Sequence, residues 1–193
     1  MSNKEERILE AAGRLFSRYG LKKTTVDEIA QEAGVGKGTI YLYFESKEKI
    51  FTKLAYQNAG RVLHKMADAV GGATSVVDQL YNLILARFRY VDELVKYHDV
   101  NLEYVTKELK PSTAEVTAEF RKHELELLER VIRDGVRGGE LEVSEREIPV
   151  VSLALSASLE ALEMPWVVEG RELPIERKAE VLVRLFIKGL QRT

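Results

Sequence analysis

The sequence predicts an all-α fold, and three observations carry that expectation. Apolar residues recur at spacings of three and four along most of the 193 residues. No run alternates with period two for long enough to form a strand. Helix punctuation is frequent: Thr25 with Glu28 three residues on, Gly34, the Gly71-Gly72 and Gly138-Gly139 pairs, and Pro174. Together these patterns predict about nine helices with no internal repeat, divided into domains at residues 1–48 and 49–193.

The first helix is expected from about Lys4 to Tyr19. Ile8, Ala12, Leu15 and Tyr19 form its stripe, Leu9 and Phe16 widen it, and Gly20 ends it. Thr25 and Glu28 then make a capping box. In such a box the hydroxyl satisfies an orphan amide at the helix start and the carboxylate reaches back to the cap. Ile29, Ala30 and Ala33 give the short second helix its apolar face. Gly34 stops it, because glycine takes the left-handed conformation at little cost. Gly36 can cap a third short helix, Lys37 to Phe44. Two short helices around a tight glycine turn make a helix-turn-helix, whose second helix can enter a DNA major groove.

That third helix has an unusual surface for a core element. Ile40 and Phe44 share an inward face, whereas Lys37, Gly38, Thr39, Tyr41 and Tyr43 point outward. Lysine, threonine and tyrosine suit phosphates and base edges. Gly38 costs helix stability, up to roughly 1 kcal/mol against alanine, and a close approach of the backbone to a partner would explain it. Ser46 is the expected N-cap of the fourth helix. Lys47 in its first turn opposes the helix dipole but is well placed for a phosphate.

The fourth helix should run to about Ala69. Ile50, Phe51, Leu54 and Ala55 would pack on the small domain, and Val62 and Met66 continue into the next. Its roughly 23 residues would span roughly 35 Å. There is no Pro/Ser-rich linker between the halves, so this helix is itself the expected connection. Val77, Leu80, Ile84, Phe88 and Val91 mark a fifth helix ending near His98, and a short helix is expected over Asn101 to Leu109. Pro111 interrupts. Ser112 can cap a long helix to about Arg137, with the stripe Val116, Phe120, His123, Leu127 and Val131. Pro149 to Glu163 is apolar almost all round, and Pro174 opens a last helix to about Leu190.

Composition narrows the function. Hydrophobic residues make up 45% and charged residues 31%, the profile of an ordinary globular protein. With no cysteine, disulfides and thiolate metal sites are excluded. The N-terminus lacks the apolar core of a signal peptide, and the apolar stretch Ile148 to Leu159 is too short to span a bilayer. The expectation is a cytoplasmic protein with no membrane partner. The net charge is −2, so bulk charge does not argue for nucleic acid. Residues 1–50 hold nine Lys or Arg and eight Asp or Glu, and the case rests on placement. Lys22, Lys23, Lys37, Lys47 and Lys49 flank the helix starts, few enough to predict a shallow salt dependence. None of the three histidines follows a glutamate by three residues, which removes the Glu-x-x-His di-iron signature. Phosphate-loop, dinucleotide and nucleophile-elbow patterns are absent as well. No enzyme activity, cofactor or metal is expected.

The first 50 residues or so resemble the DNA-binding domain of the tetracycline-repressor (TetR) family of bacterial regulators. The likeness is carried, in order, by Ile8-Leu9-Glu10-Ala11-Ala12, Leu15-Phe16, Tyr19-Gly20 and Thr24 to Ala30. It continues through Ala33-Gly34-Val35, Gly38-Thr39-Ile40-Tyr41, Tyr43-Phe44 and Ser46-Lys47-Glu48. The resemblance implies a homodimeric transcriptional regulator, a repressor that releases an inverted-repeat operator on double-stranded DNA when a small effector binds. By motif position it implies Lys37, Gly38 and Thr39 near bases, and Thr25, Tyr41, Tyr43 and Lys47 at phosphates. The family often has histidine where this chain has Tyr43. The rival reading, a helical dimerisation and interaction module without DNA readout, would give those residues no task.

The resemblance also implies an effector pocket among the fourth to seventh expected helices, in a C-terminal ligand-binding and dimerisation domain. Met66, Tyr81, Phe88 and Phe120 offer its walls, and Asn58, His98 and His123 offer sparse polar groups, which suits a largely apolar effector. The same aromatic residues at helical spacing would equally serve a core. An all-round apolar helix must be covered on every side. Leu155 and Leu159, with Leu182 and Phe186 of the last helix, are therefore expected at a two-fold dimer interface.

Overall fold

The computed structural model describes residues 3–98, 110–164 and 174–190. Among these residues there are eight helices and no strand: α1 (Asn3–Lys23), α2 (Val26–Ala33), α3 (Lys37–Tyr43), α4 (Lys47–Gly71), α5 (Val76–His98), α6 (Lys110–Arg137), α7 (Ile148–Met164) and α8 (Ile175–Leu190). The short helix expected at 101–109 lies outside the described residues. Contacts divide the chain into two compact units, Met1–Ala59 with Lys96–Val116, and Gly60–Val95 with Thr117–Thr193.

The first unit is built on α1. Its Ile8, Leu9, Ala11, Ala12 and Phe16 bury against Ile29, Ala30 and Ala33 of α2, Ile40 of α3, Phe44, and Ile50 of α4. Phe16 meets Phe51 edge to face, with ring centroids 5.7 Å apart. Gly20 interrupts the first helix where its end was expected. That residue takes φ 82° and ψ 159°, breaks the helix, and leaves one further turn to Lys23. Only glycine adopts such an angle without steric cost. The turn after the break brings Leu21 into the core and buries Thr24, whose hydroxyl donates to Gly20 O at 2.9 Å.

The second unit has a single core. Val62 and Met66 of α4, Leu80, Leu83, Ile84 and Phe88 of α5, and Leu127, Leu128, Val131 and Ile132 of α6 pack with Leu155 and Leu159 of α7 and Leu182 and Ile187 of α8. Where α6 ends, Gly139 turns the chain at φ 76°, and Leu141 and Val143 cover the core. Glu140 then reaches back to accept the Val76 amide at 3.0 Å, which caps α5 from 64 residues away. Pro111 does not interrupt α6 but lies in its first turn, where a missing N–H forfeits no helical hydrogen bond.

One expectation about α6 is corrected by burial, and α7 leaves one side uncovered among the described residues. His123 does not join the buried stripe of α6. It is exposed, its Nδ1 2.9 Å from Glu119 O, and Glu124 is buried in its place. Positions three and four beyond Phe120 both fall near the same face, and the packing selects the second. Helix α7 is apolar all round but covered on one side only. Ser152, Leu155, Ser156 and Leu159 face inward, while Val150 (67% exposed), Leu153 (50%), Ala154, Ala157 and Ala161 remain bare.

Candidate nucleic-acid interface

The corner between α2 and α3 is closed by backbone geometry that its sequence dictates. Thr25 Oγ1 accepts from the Glu28 amide at 3.2 Å, and Glu28 Oε2 accepts from the Thr25 amide at 2.7 Å, so both halves of the capping box are made. The Thr25 amide foremost, and then the Thr25 hydroxyl, which donates to Glu28 Oε2 at 2.8 Å, hold the Glu28 carboxyl below its ordinary pKa. At the other end Gly34 is left-handed at φ 63°. The Val35 amide donates to Ala30 O at 2.9 Å and the Gly34 amide to Gln31 O at 3.1 Å, a Schellman closure. Arg7 of α1 completes it by donating Nη2 to Ala33 O at 2.6 Å and Gly34 O at 3.1 Å. These last carbonyls carry the negative end of the α2 dipole, which a guanidinium complements.

Helix α3 has Gly36 as N-cap with no side-chain cap, and its Ile40 is fully buried. The opposite surface is uncovered. Leu42 is 83% exposed, Tyr41 51% and Tyr43 39%. Lys37 and Gly38 are exposed beside them, and Thr39 is half-buried. A Cβ added at Gly38 would meet nothing within 4 Å, so packing within the chain does not require glycine there. Lys37 Nζ pairs with Asp27 Oδ2 at 2.8 Å, which raises the Lys37 pKa and keeps it charged. Both groups are largely exposed, so the pair is screened and open to exchange for a phosphate.

Lys47 is placed differently from expectation. It opens α4 behind the N-cap Ser46, whose Oγ accepts from the Lys49 amide at 3.3 Å. Its half-buried ammonium is bonded to backbone carbonyls. It donates to Leu21 O at 2.8 Å, Lys22 O at 3.0 Å and Thr24 O at 2.8 Å. The lysine that opposes its own helix dipole is instead bound to the C-terminal carbonyls of α1. Sequence reasoning did not single out Arg7 or Leu42. Leu42 had a signal, an apolar residue on the polar side of a short helix. Arg7 had none.

The residues expected at an effector pocket have varied surroundings. Met66 and Phe88 are fully buried in the core of the second unit, and Tyr81 and Phe120 pack half-buried against it. Asn58 is half-buried on α4, His123 is exposed, and the side chain of His98 lies outside the described residues. A buried polar group that sequence reasoning missed links α5, α6 and α7. Arg87 Nη1 donates to Glu124 Oε1, and Ser156 Oγ donates to Glu124 Oε2 at 2.6 Å. A glutamate inside an otherwise apolar stripe was its signal. The dimer expectation also shifts. Leu155, Leu159 and Leu182 are buried in their own subunit, with little surface left for a partner, and Phe186 is half-buried. The bare apolar residues are their neighbours Val150, Leu153 and Leu185.

A capped two-helix corner braced by α1, with an uncovered second helix, defines a protein of the helix-turn-helix DNA-binding class. Residues 8–54 match the family described as bacterial regulatory proteins, tetR family. Over that segment, from α1 into α4, the chain is similar to this family of transcriptional regulators. It is 28% identical over 192 residues to YhgD of Bacillus subtilis (strain 168), an uncharacterized helix-turn-helix-type transcriptional regulator, covering 97% of each chain. It is 25% identical over 187 residues to the fatty acid metabolism regulator protein of the same organism, covering 95% of this chain and 93% of that one. Its fold is similar to the crystal structure of the transcriptional regulator FadR from Bacillus subtilis in complex with stearoyl-CoA. That likeness has a TM-score of 0.75 at 22% identity, over 96% of this chain and 99% of the other.

Proposed function

We propose that this protein is a homodimeric repressor that holds an inverted-repeat operator and releases it when a small, largely apolar effector binds. The unit around α1–α3 reads DNA, and the helical remainder binds effector and dimerises. The observation that carries the reading is the uncovered face of α3. A glycine with open space at its Cβ, the exposed Tyr41 and a leucine 83% exposed are not explained by packing among the described residues. A major groove accounts for all of them. Gly38 admits the backbone close to base edges, Lys37 and Thr39 offer donors to bases, and Thr25, Tyr41 and Tyr43 offer hydroxyls to phosphates.

The effector reading draws on the relatives. One is a fatty acid metabolism regulator, and one similar fold was solved with stearoyl-CoA. A long acyl chain suits a domain whose candidate walls are Met66, Tyr81, Phe88 and Phe120. Long-chain acyl-CoA is therefore the first effector class to test. Dimerisation would cover the bare stripe of α7 and Leu185 of α8, and two-fold pairing would present two α3 helices to one inverted repeat.

The test is enrichment of duplexes from a random-sequence pool by the full-length protein, followed by titration with Thr39→Ala and Tyr41→Ala. The reading expects an inverted repeat to emerge, both variants to weaken it, and stearoyl-CoA to release it. Enrichment of no sequence, with equal binding to all duplexes, would leave the helical interaction module as the better description. By linkage, an effector that weakens operator binding must itself be weakened equally by operator.

A further inference from the structure

Helix α3 carries three parallel rows of residues around its buried Ile40. At about 100° per residue, Gly38 and Leu42 are the two positions nearest the line directly opposite Ile40, which is fully buried. They stand four apart and so form one row. Lys37 and Tyr41 make a second row on one side, and Thr39 and Tyr43 a third on the other. Each flanking row holds two side-chain hydrogen-bond donors, whereas the central row holds none. Leu42 is 83% exposed, more than either tyrosine, and a Cβ added at Gly38 would meet nothing within 4 Å. The outermost row of α3 is thus apolar and lies between two polar ones.

We propose that Leu42 is a specificity-determining residue, which reads the C5-methyl group of a thymine in each half-site of the operator. The inference rests on the DNA-binding reading above and names what the outer row of α3 selects. A major groove has phosphates along both walls and base edges on its floor. A helix seated with Ile40 toward the protein turns its two polar rows to the walls and its apolar row to the floor. The thymine methyl is the apolar group that this floor displays. A leucine offers no hydrogen bond, so against another base edge it would desolvate a donor or acceptor without replacing the lost bond. Gly38 sets no second side chain between this row and the bases. A protein partner fits the same face poorly. A stable protein contact buries about 800 Å² on each side, and one leucine beside a glycine on a helix of seven residues supplies no apolar centre of that size.

The test removes one methyl group at a time. Full-length wild type is titrated with the duplex it enriches from the random pool. It is then titrated with versions in which one symmetry-related pair of thymines is replaced by deoxyuridine. That exchange deletes the C5-methyl and leaves base pairing intact. At one such pair, affinity should fall about fourfold per half-site, the effect of one buried methyl group. Leu42→Ala should bind the thymine and deoxyuridine duplexes equally at that pair. Because Leu42 is exposed, its truncation should leave the melting temperature unchanged. An enriched duplex that is indifferent to every such exchange overturns the inference and leaves the DNA-binding reading standing. A methyl preference that survives unchanged in Leu42→Ala also overturns it, by assigning the contact to a neighbouring side chain. Enrichment of no sequence by wild type overturns the regulator reading and this inference with it.

Discussion

Arg87 and Glu124 form an ion pair in the interior of the second unit, with side chains 6% and 1% exposed. The guanidinium also lies over the Phe120 ring, with Cζ 5.5 Å from its centroid. Ser156 takes the second carboxylate oxygen, so α5, α6 and α7 meet at one charged point. A pair of this kind is costly to desolvate and more costly to break. Glu124→Ala is expected to destabilise the protein by about 3–5 kcal/mol in urea unfolding, because it leaves a buried guanidinium uncompensated. The double variant Arg87→Met/Glu124→Leu should recover most of that loss. Equal destabilisation by the single and double variants would mean that the pair contributes through shape alone.

Three glycines should respond differently to alanine. Gly34→Ala forces a left-handed residue and sets a Cβ 2.7 Å from Arg7 Nη2, so stability should fall by about 1–2 kcal/mol. Gly135→Ala would drive a Cβ to 2.7 Å from Val76 Cγ2 and 3.1 Å from Leu141 Cδ1, an overpacking cost of about 1–3 kcal/mol. Gly38→Ala meets open space and should raise stability by up to about 1 kcal/mol. The same change should weaken operator binding. A Gly38→Ala protein that is more stable and binds DNA unchanged would contradict close approach of the α3 backbone to the bases.

The bare and buried leucines of α7 separate assembly from folding. Leu153→Asp places a charge on an exposed position, and Leu185→Arg does so on α8. Sedimentation should show dissociation to monomers that keep their helical circular dichroism. Leu155→Asp buries an unpaired charge in the subunit core and should unfold it instead. A wild-type protein that sediments as a monomer at micromolar concentration would remove the dimer from the proposal.

Lys37 is expected to meet a phosphate. Its ammonium is exposed and paired with the surface carboxylate of Asp27. Lys37→Met should lower the salt slope of duplex binding by about 0.9 per subunit, with little change in thermal stability. Asp27→Asn, which frees the same ammonium, should strengthen non-specific binding. An unchanged slope in Lys37→Met would assign its charge to Asp27 alone.

Acid sensitivity should follow the helix caps. Glu28 is held below its ordinary pKa by the Thr25 amide and hydroxyl, Glu147 by the Ser144 hydroxyl and amide, and Glu48 by its own amide and Ser46. A carboxyl whose folded pKa is depressed contributes stability that is present above its unfolded value. That contribution is lost as pH falls through the folded value. Thermal unfolding should therefore weaken below about pH 4.3, the ordinary glutamate value. The double variant Glu28→Gln/Glu147→Gln should show a shallower fall. Parallel pH profiles for variant and wild type would mean that other carboxyls govern acid unfolding.

The sequence by itself determined the helices and the helix-turn-helix corner. Capping boxes, left-handed glycines and apolar periodicity act within a few residues, so Thr25, Glu28, Gly34 and Ile40 were legible from spacing alone. What it left open depended on which of two adjacent positions the packing would select. Glu124 rather than His123 is buried, since both lie near the face that follows Phe120 and only the opposing helices decide between them. Leu155 turns inward and Leu153 outward on a helix whose apolar pattern has no polar side to orient it. Lys47 shows the limit most clearly. Its partners are the carbonyls of residues 23 to 26 positions earlier, and backbone groups have no letter in a sequence. Only the tertiary structure, by bringing the end of α1 to the start of α4, decided which carbonyls this ammonium meets.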